Sequence, residues 1–243
     1  MSRVPRFHAP ELPIAPGARL ELEGEEAHHA TSVLRLTEGA QVEVFDGKGG
    51  AGTFEVESGG RGGLVLALVR RTDEDREARS AITIAFAPPR PKRMLALVEK
   101  ATELGVARFL PLTTARTRVT LKESALDKIR RRTIEAAKQC GRNRLPVVSP
   151  TATIETLARE ERGKHDLALL PDTQNARPLK DVLRAVPTAR TAIFVVGPEG
   201  GFEDRERKSL GGAGFVPVVF GGATLRVETA AIAVLTCLRY DLG

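Results

Sequence analysis

Two glycine-rich segments carry residue types suited to chemistry on a bound ligand. GPEGGF (197–202) follows the apolar run AIFVV and precedes a stretch rich in Glu, Asp and Lys. Its three glycines permit backbone shapes closed to other residues and let a ligand approach the main chain. Pro198 stiffens the loop and Glu199 offers a carboxylate. An ordinary strand-to-helix turn would use the same residues, so this loop alone decides nothing. GGATLRVETA (221–230) likewise follows an apolar run, FVPVVF, and opens a last helix expected over Glu228–Tyr240. Glu228 near a helix start is favoured by the helix dipole alone, whereas Arg226 beside glycines has no such structural reason.

A third set of candidates is basic. Between Arg90 and Arg144 there are fifteen Lys or Arg against five Asp or Glu, a local +10 in a chain whose net charge is +6. The segments TARTRV (114–119) and AAKQCGRNRLP (136–146) place Arg116, Arg118, Arg142 and Arg144 on loops near strand ends. Arginine clamps phosphates through paired hydrogen bonds, and cations gain by releasing the counterions condensed on nucleic acid. The plainer reading is a solvated helix face. Aromatic residues are only 4%, with no Trp and one Tyr, so base stacking on an aromatic platform is not the main mode of recognition. One pattern is discarded: Gly47, Gly49 and Gly52 match a dinucleotide fingerprint, but TFEVE follows where a helix is required, so the segment reads as a hairpin turn.

These candidates need elements to hold them. The first seventy residues alternate apolar and polar over 19–23, 41–45 and 53–56, with an apolar run at 64–69 and a helical stretch around 25–34, which predicts a small β barrel with one helix. Residues 70–80 (RRTDEDREARS) have the composition of a linker. Beyond them six short apolar strands, at 82–86, 108–112, 146–149, 166–170, 192–196 and 215–220, alternate with helical stretches. The clearest helices run from Pro91 to Leu104, with Gly105 as the stop, and from Glu123 to Cys140. Such alternation predicts a parallel sheet covered on both faces, whose ligands bind at the carboxyl ends of the strands. The last helix is apolar nearly all round, which predicts burial in the core or against another subunit.

With 243 residues, 42% apolar and 28% charged, the chain has an ordinary globular balance. Its cysteines, Cys140 and Cys237, and its histidines, His8, His28, His29 and His165, form no metal-ligand spacing, so no metal is expected. The N-terminal segment has no apolar run of the leader type, and the longest uncharged apolar stretch, 229–238, is too short to cross a bilayer, so a soluble cytoplasmic protein is expected.

RVPRF near the start, HHATSVLRLTEG (28–39), KATELGV (100–106) with LPLTTAR (110–116), EAAKQCGRNRLP (135–146), GPEGGF and LRVETA resemble, in order and spacing, one family. It is the 16S rRNA uridine N3-methyltransferases of the SPOUT class, the RsmE type. The resemblance covers the whole chain. It implies a PUA-like RNA-binding β barrel over 1–72 and an α/β domain over 73–243 that forms a deep trefoil knot, a homodimer, and S-adenosylmethionine as cofactor. Carried over, the cofactor pocket would be Leu170 and Pro171, then Gly197, Glu199 and Gly200, then Phe220, Gly221, Leu225 and Arg226. Two positions depart from the family pattern, Val227 and Thr224, so main-chain contacts are expected to dominate that turn.

The implied reaction methylates N3 of a specific uridine, uridine 1498 in standard 16S rRNA numbering. It needs the methyl in line with N3, loss of the N3 proton, and no metal. Glu199 or Glu228 would accept the proton directly or through water, and Arg226 would stabilise the anion developing on the ring. Arg3, Arg6 and Arg35 in the barrel would add RNA contacts to those of Arg116, Arg118, Arg142 and Arg144. The alternatives are another SPOUT methyltransferase acting on a ribose 2'-hydroxyl or another base, and a noncatalytic rRNA-binding assembly factor.

Overall fold

A computed structural model describes residues 4–60, 63–72, 77–117 and 121–243. The chain forms two compact units, Met1–Glu77 with Ala137–Leu145, and Ala78–Ala136 with Pro146–Gly243. The division expected between residues 72 and 73 thus falls a few residues later, and a nine-residue piece returns to the first unit.

Alternating apolar residues make the first unit a five-stranded sheet. Its strands are β1 (Arg6–His8), β2 (Arg19–Leu22), β3 (Gln41–Phe45), β4 (Ala51–Gly60) and β5 (Gly63–Thr72), in the order β1-β3-β4-β5-β2. The inward positions, among them Phe7, Val42, Val44, Phe54, Leu64 and Leu66, are buried together with Ala27 of α1 (Gly24–His28), which runs on into a π turn at His29–Val33. The discarded glycine fingerprint is the β3–β4 hairpin: Asp46 Oδ1 accepts the amides of Lys48 and Gly50 at 2.7 and 2.9 Å, and Gly47 and Gly49 take left-handed φ values that a side chain would strain. The linker expectation is corrected in part. Arg70, Arg71 and Thr72 belong to β5, paired with Thr53, Gly52 and Ala51, while residues 73–76 lie outside the described residues.

The second unit is built on an all-parallel sheet. β6 (Ala81–Phe86), β7 (Arg108–Thr113), β8 (Val147–Val148), β10 (Leu167–Pro171), β11 (Arg177–Pro178), β12 (Thr191–Val196) and β13 (Val216–Val219) lie in the order β11-β13-β10-β12-β6-β7-β8, with β9 (Ala152–Thr153) beside β7. The strands read as unbroken apolar runs because both faces are covered. On β12, Ala192, Phe194 and Val196 enter one core with α2 (Pro91–Glu103), α3 (Glu123–Cys140), α5 (Leu179–Ala185) and α7 (Val227–Leu242). Ile193 and Val195 enter the other with α4 (Ile154–Glu160) and α6 (Asp204–Gly212).

Several expected helix features hold. Pro91 sits in the first turn of α2, and Gly105, at φ +81, follows its end. Cys140, at the end of α3, is half-buried. The last helix is one-sided: Val227, Ala231, Val234, Leu235, Leu238 and Leu242 are buried, while Thr229, Thr236 and Tyr240 are exposed.

Candidate active site

The carboxyl ends of β10, β12 and β13 open into a cleft of about 220 Å3. Parallel strands end here on loops whose amides are free of the ladder, the usual place for a ligand in an open α/β sheet. Pro171 comes from the end of β10, Gly197 and Glu199 from the loop after β12, and Phe220, Gly221 and Leu225 from the turn after β13. These six residues, carried over from the resemblance, line one cleft.

Three others are not. Leu170 is buried in the core beneath the cleft rather than in its wall, because it takes the inward position next to Pro171 on β10. Gly200 lies on the far side of the loop, in a second cavity with Arg116. Arg226 is exposed at the N-cap position of α7 and makes no side-chain cap.

The loop shape depends on its glycines at two points. A Cβ at Gly197 would stand 2.7 Å from the Phe202 ring, and Gly201 has a φ of +71. Phe202 is 3% exposed, so the ring cannot move aside cheaply. The floor is fixed by a pair that sequence reasoning missed. Asp172, which follows β10, accepts from Arg207 Nε of α6 at 2.8 Å, and Asp172 N donates to Val218 O at 3.0 Å. Both side chains line the cleft. A motif search finds neither, since Arg207 lies in a charged run, Glu203–Lys208, that reads as a solvated helix, and Asp172 in a polar turn after β10.

A second missed residue is Arg93, in the first turn of α2. Its Nη1 donates to Glu199 Oε1 at 2.7 Å, and its Nε lies 3.6 Å from Glu228 Oε1. One guanidinium therefore joins the two carboxylates named as proton acceptors. Glu228 Oε2 is buried and accepts no hydrogen bond among the described residues. The loop after β7 is tied to the same place. Ala115 N donates to Glu206 Oε1 at 2.9 Å, Glu206 Oε2 accepts from Glu203 N at 2.8 Å in a capping box, and Arg116 Nη1 donates to Gly200 O at 2.7 Å.

The basic candidates divide. Arg6 is buried in the first unit, where Nη1 donates to the carbonyls of Ala137 and Arg142 at 2.9 and 3.2 Å and the guanidinium lies 4.6 Å over the Phe45 ring. Arg142 is buried against Glu77, with Nη2 2.6 Å from Oε2. These two hold Ala137–Leu145 onto the first unit and are corrected from phosphate ligands to structural residues. Arg35, Arg116 and Arg144 are exposed, and Arg35 has a left-handed φ of +53 beside exposed Val33 and Leu34. Arg3 and Arg118 lie outside the described residues. Among the described residues no group of His, Cys, Asp and Glu could hold a metal ion, and no helix is long and apolar enough to cross a membrane.

Comparison with known proteins adds to this geometry. A family described as an RNA methyltransferase domain matches residues 76–239, and one described as an RNA methyltransferase PUA domain matches residues 22–69. The ribosomal RNA small subunit methyltransferase E of Mycobacterium tuberculosis is 33% identical, over 94% of this chain and 88% of its own. That of Bacillus subtilis is 27% identical over 90% and 88%. Among solved structures, ribosomal RNA small subunit methyltransferase E from Neisseria gonorrhoeae, bound to S-adenosylmethionine, superposes with a TM-score of 0.89 at 27% identity, covering 98% of each chain. The Legionella pneumophila protein Lpg2936, solved in complex with the same cofactor, superposes with a TM-score of 0.91 at 30% identity over 98% of each chain.

Proposed function

The chain belongs to the ribosomal RNA small subunit methyltransferase E family, and from that premise we propose that it transfers a methyl group from S-adenosylmethionine to N3 of one uridine of 16S rRNA, uridine 1498 in standard numbering. The observation that carries this reading is Glu199, which lines the cleft and is paired with Arg93 beside a second carboxylate. The cleft fits the cofactor. Its walls include Gly197, Gly201 and Gly221, the last two with left-handed φ, and apolar Val218, Phe220 and Leu225 beside them.

When bound, S-adenosylmethionine supplies a methyl carbon made electrophilic by its sulfonium. The neutral imide nitrogen of uracil is a poor nucleophile, so the protein must take the N3 proton. Glu199 and Glu228 are the groups for this, one or both acting directly or through water. Arg226, at the mouth of α7, stabilises the anion spread over the ring. Arg93 holds both carboxylates in place, and Pro171, Gly197, Phe220, Gly221 and Leu225 hold the cofactor.

The deep trefoil knot implied by the resemblance belongs to the same reading. Tyr240, 89% exposed on α7, supports a homodimer through that helix. Arg35 and Arg144 contact the RNA phosphates, and Arg116 meets the RNA beside Gly200.

Mass spectrometry of small-subunit rRNA from a strain lacking the gene tests the reading. N3-methyluridine should be absent at that position and return on complementation. An unchanged base, or alkali-resistant linkage at a ribose as the missing feature, would overturn it.

A further inference from the structure

The loop 197–202 stands between two cavities, and the cofactor accounts for one. The second, about 250 Å3, is lined by Pro88, Arg90, Arg116, Glu199, Gly200 and Val227 among others. It is as large as the cleft and shares Pro198, Glu199 and Val227 with it, so a group seated in each would meet across these three residues. Its wall carries a particular set of hydrogen-bonding groups. Arg90 is exposed at the N-cap position of α2 and makes no side-chain cap. Arg116 spends one contact on Gly200 O, and a guanidinium has five N–H donors. Glu199 adds an acceptor. Two donor groups and one acceptor match the imide edge of uracil, where O2 and O4 accept and N3–H donates. Cytosine presents a bare N3 and an amino group there, and guanine presents an amino group where uracil has O2, so both leave donors facing donors.

Resting on the reading above, we propose that this second cavity is the target-nucleotide site. It takes a uracil turned out of its strand, with Arg90 and Arg116 donating to O2 and O4 and Glu199 accepting from N3–H. The step balances within these groups and the cofactor. The N3 proton passes to Glu199, the N3 electron pair forms the bond to the methyl carbon, and the carbon–sulfur pair leaves on sulfur. Nothing is oxidised or reduced. Arg90 and Arg116 are thereby the residues that select uracil over cytosine.

Gly200→Val tests this without touching the cleft. A Cβ at Gly200 meets nothing closer than Arg116 Cδ at 3.4 Å, so the new side chain enters the cavity. S-adenosylmethionine affinity by calorimetry should stay within about twofold of wild type, while methyl transfer to small subunits lacking the modification falls by about 100-fold or more. Arg90→Ala removes an exposed side chain with no fold to endanger. It should lower kcat/KM for the subunit about tenfold with cofactor affinity unchanged. Wild-type transfer by either variant overturns the proposal. So does loss of cofactor affinity in Gly200→Val, which would assign the cavity to the cofactor. A wild-type protein that leaves uridine N3 unmethylated would instead strike the reading beneath it.

Discussion

Arg93 and Glu199 meet at 2.7 Å although 106 positions separate them in the chain, and the same guanidinium reaches Glu228 at 3.6 Å. The contact joins the start of α2 to the loop after β12 and to the first turn of α7. Without it two carboxylates would share one corner of the site with no cation between them, and each would move toward solvent.

Arg93→Ala should therefore lower kcat for methyl transfer at least tenfold while cofactor affinity changes by less than about twofold, since Arg93 does not line the cleft. Arg93→Lys keeps the charge and loses the two-pronged contact, and should recover part of the rate. Steady-state kinetics on undermethylated subunits, with calorimetry for the cofactor, decides it. Equal kcat in the Ala variant would make the bridge a surface ion pair and nothing more.

The cleft makes a separate prediction at two glycines. Gly197→Ala drives a methyl group against the buried Phe202 ring and should weaken S-adenosylmethionine binding at least tenfold. Gly221 has open space around its Cβ position but a φ of +74, so Gly221→Ala meets backbone strain of about 1 kcal/mol and no clash. Binding isotherms for the pair should rank them in that order. The reverse order would mean that the turn after β13, not the loop after β12, shapes the pocket.

What was legible in the chain followed local pattern. The bounds of α3 at Glu123 and Cys140 come from an amphipathic repeat, and the glycine loops are recognisable from the apolar runs before them. Val227, a departure from the family pattern, is 4% exposed and packs in the core under α7, which explains an apolar residue there. Long-range polar contacts were not legible. Nothing adjacent to Arg93 marks its partners, and a buried arginine such as Arg6 has the same neighbours in sequence as a solvated one. The return of Ala137–Leu145 to the first unit rests on Ala137 packing with Phe45 and Ala51, a tertiary event with no local signature.

That return separates the arginines experimentally. Arg142→Ala takes from Glu77, whose side chain is 15% exposed, the guanidinium that lies 2.6 Å from its Oε2, and should destabilise the protein by about 3 kcal/mol in urea unfolding. Arg144→Ala should leave stability within about 0.5 kcal/mol and instead flatten the slope of log RNA affinity against log salt by roughly 0.7 to 0.9. An Arg144→Ala variant with the wild-type salt slope would remove that residue from the RNA surface.

The last prediction concerns the amino ends of the strands, away from the cleft. Arg108, at the start of β7, gives Nη1 to Glu161 Oε2 at 2.7 Å and Nε to Ser149 Oγ at 2.6 Å, and Glu161 is 5% exposed. Burial pushes the Glu161 carboxyl up, but hydrogen bonds from Arg108 and Lys164 pull it down further, and the net shift is below its ordinary value of 4.5. A carboxyl depressed on folding contributes stability above its unfolded value and loses it as pH falls through the folded one. Arg108→Ala leaves a buried charge with weaker partners and should cost about 3 kcal/mol at pH 7. His165 faces the same carboxylate at 3.6 Å, and burial, with help from Arg108, holds its pKa below 6.5. Removing Arg108 lets His165 take a proton more readily and act as a substitute cation. The deficit of the variant should therefore begin to shrink as pH falls below 6.5, before the carboxyl itself titrates, and shrink further below about pH 4.5. Urea unfolding of both proteins across that range reads it directly. A deficit constant from pH 7 to pH 4 would mean that Arg108 acts through packing and its bond to Ser149, not through the charge of Glu161.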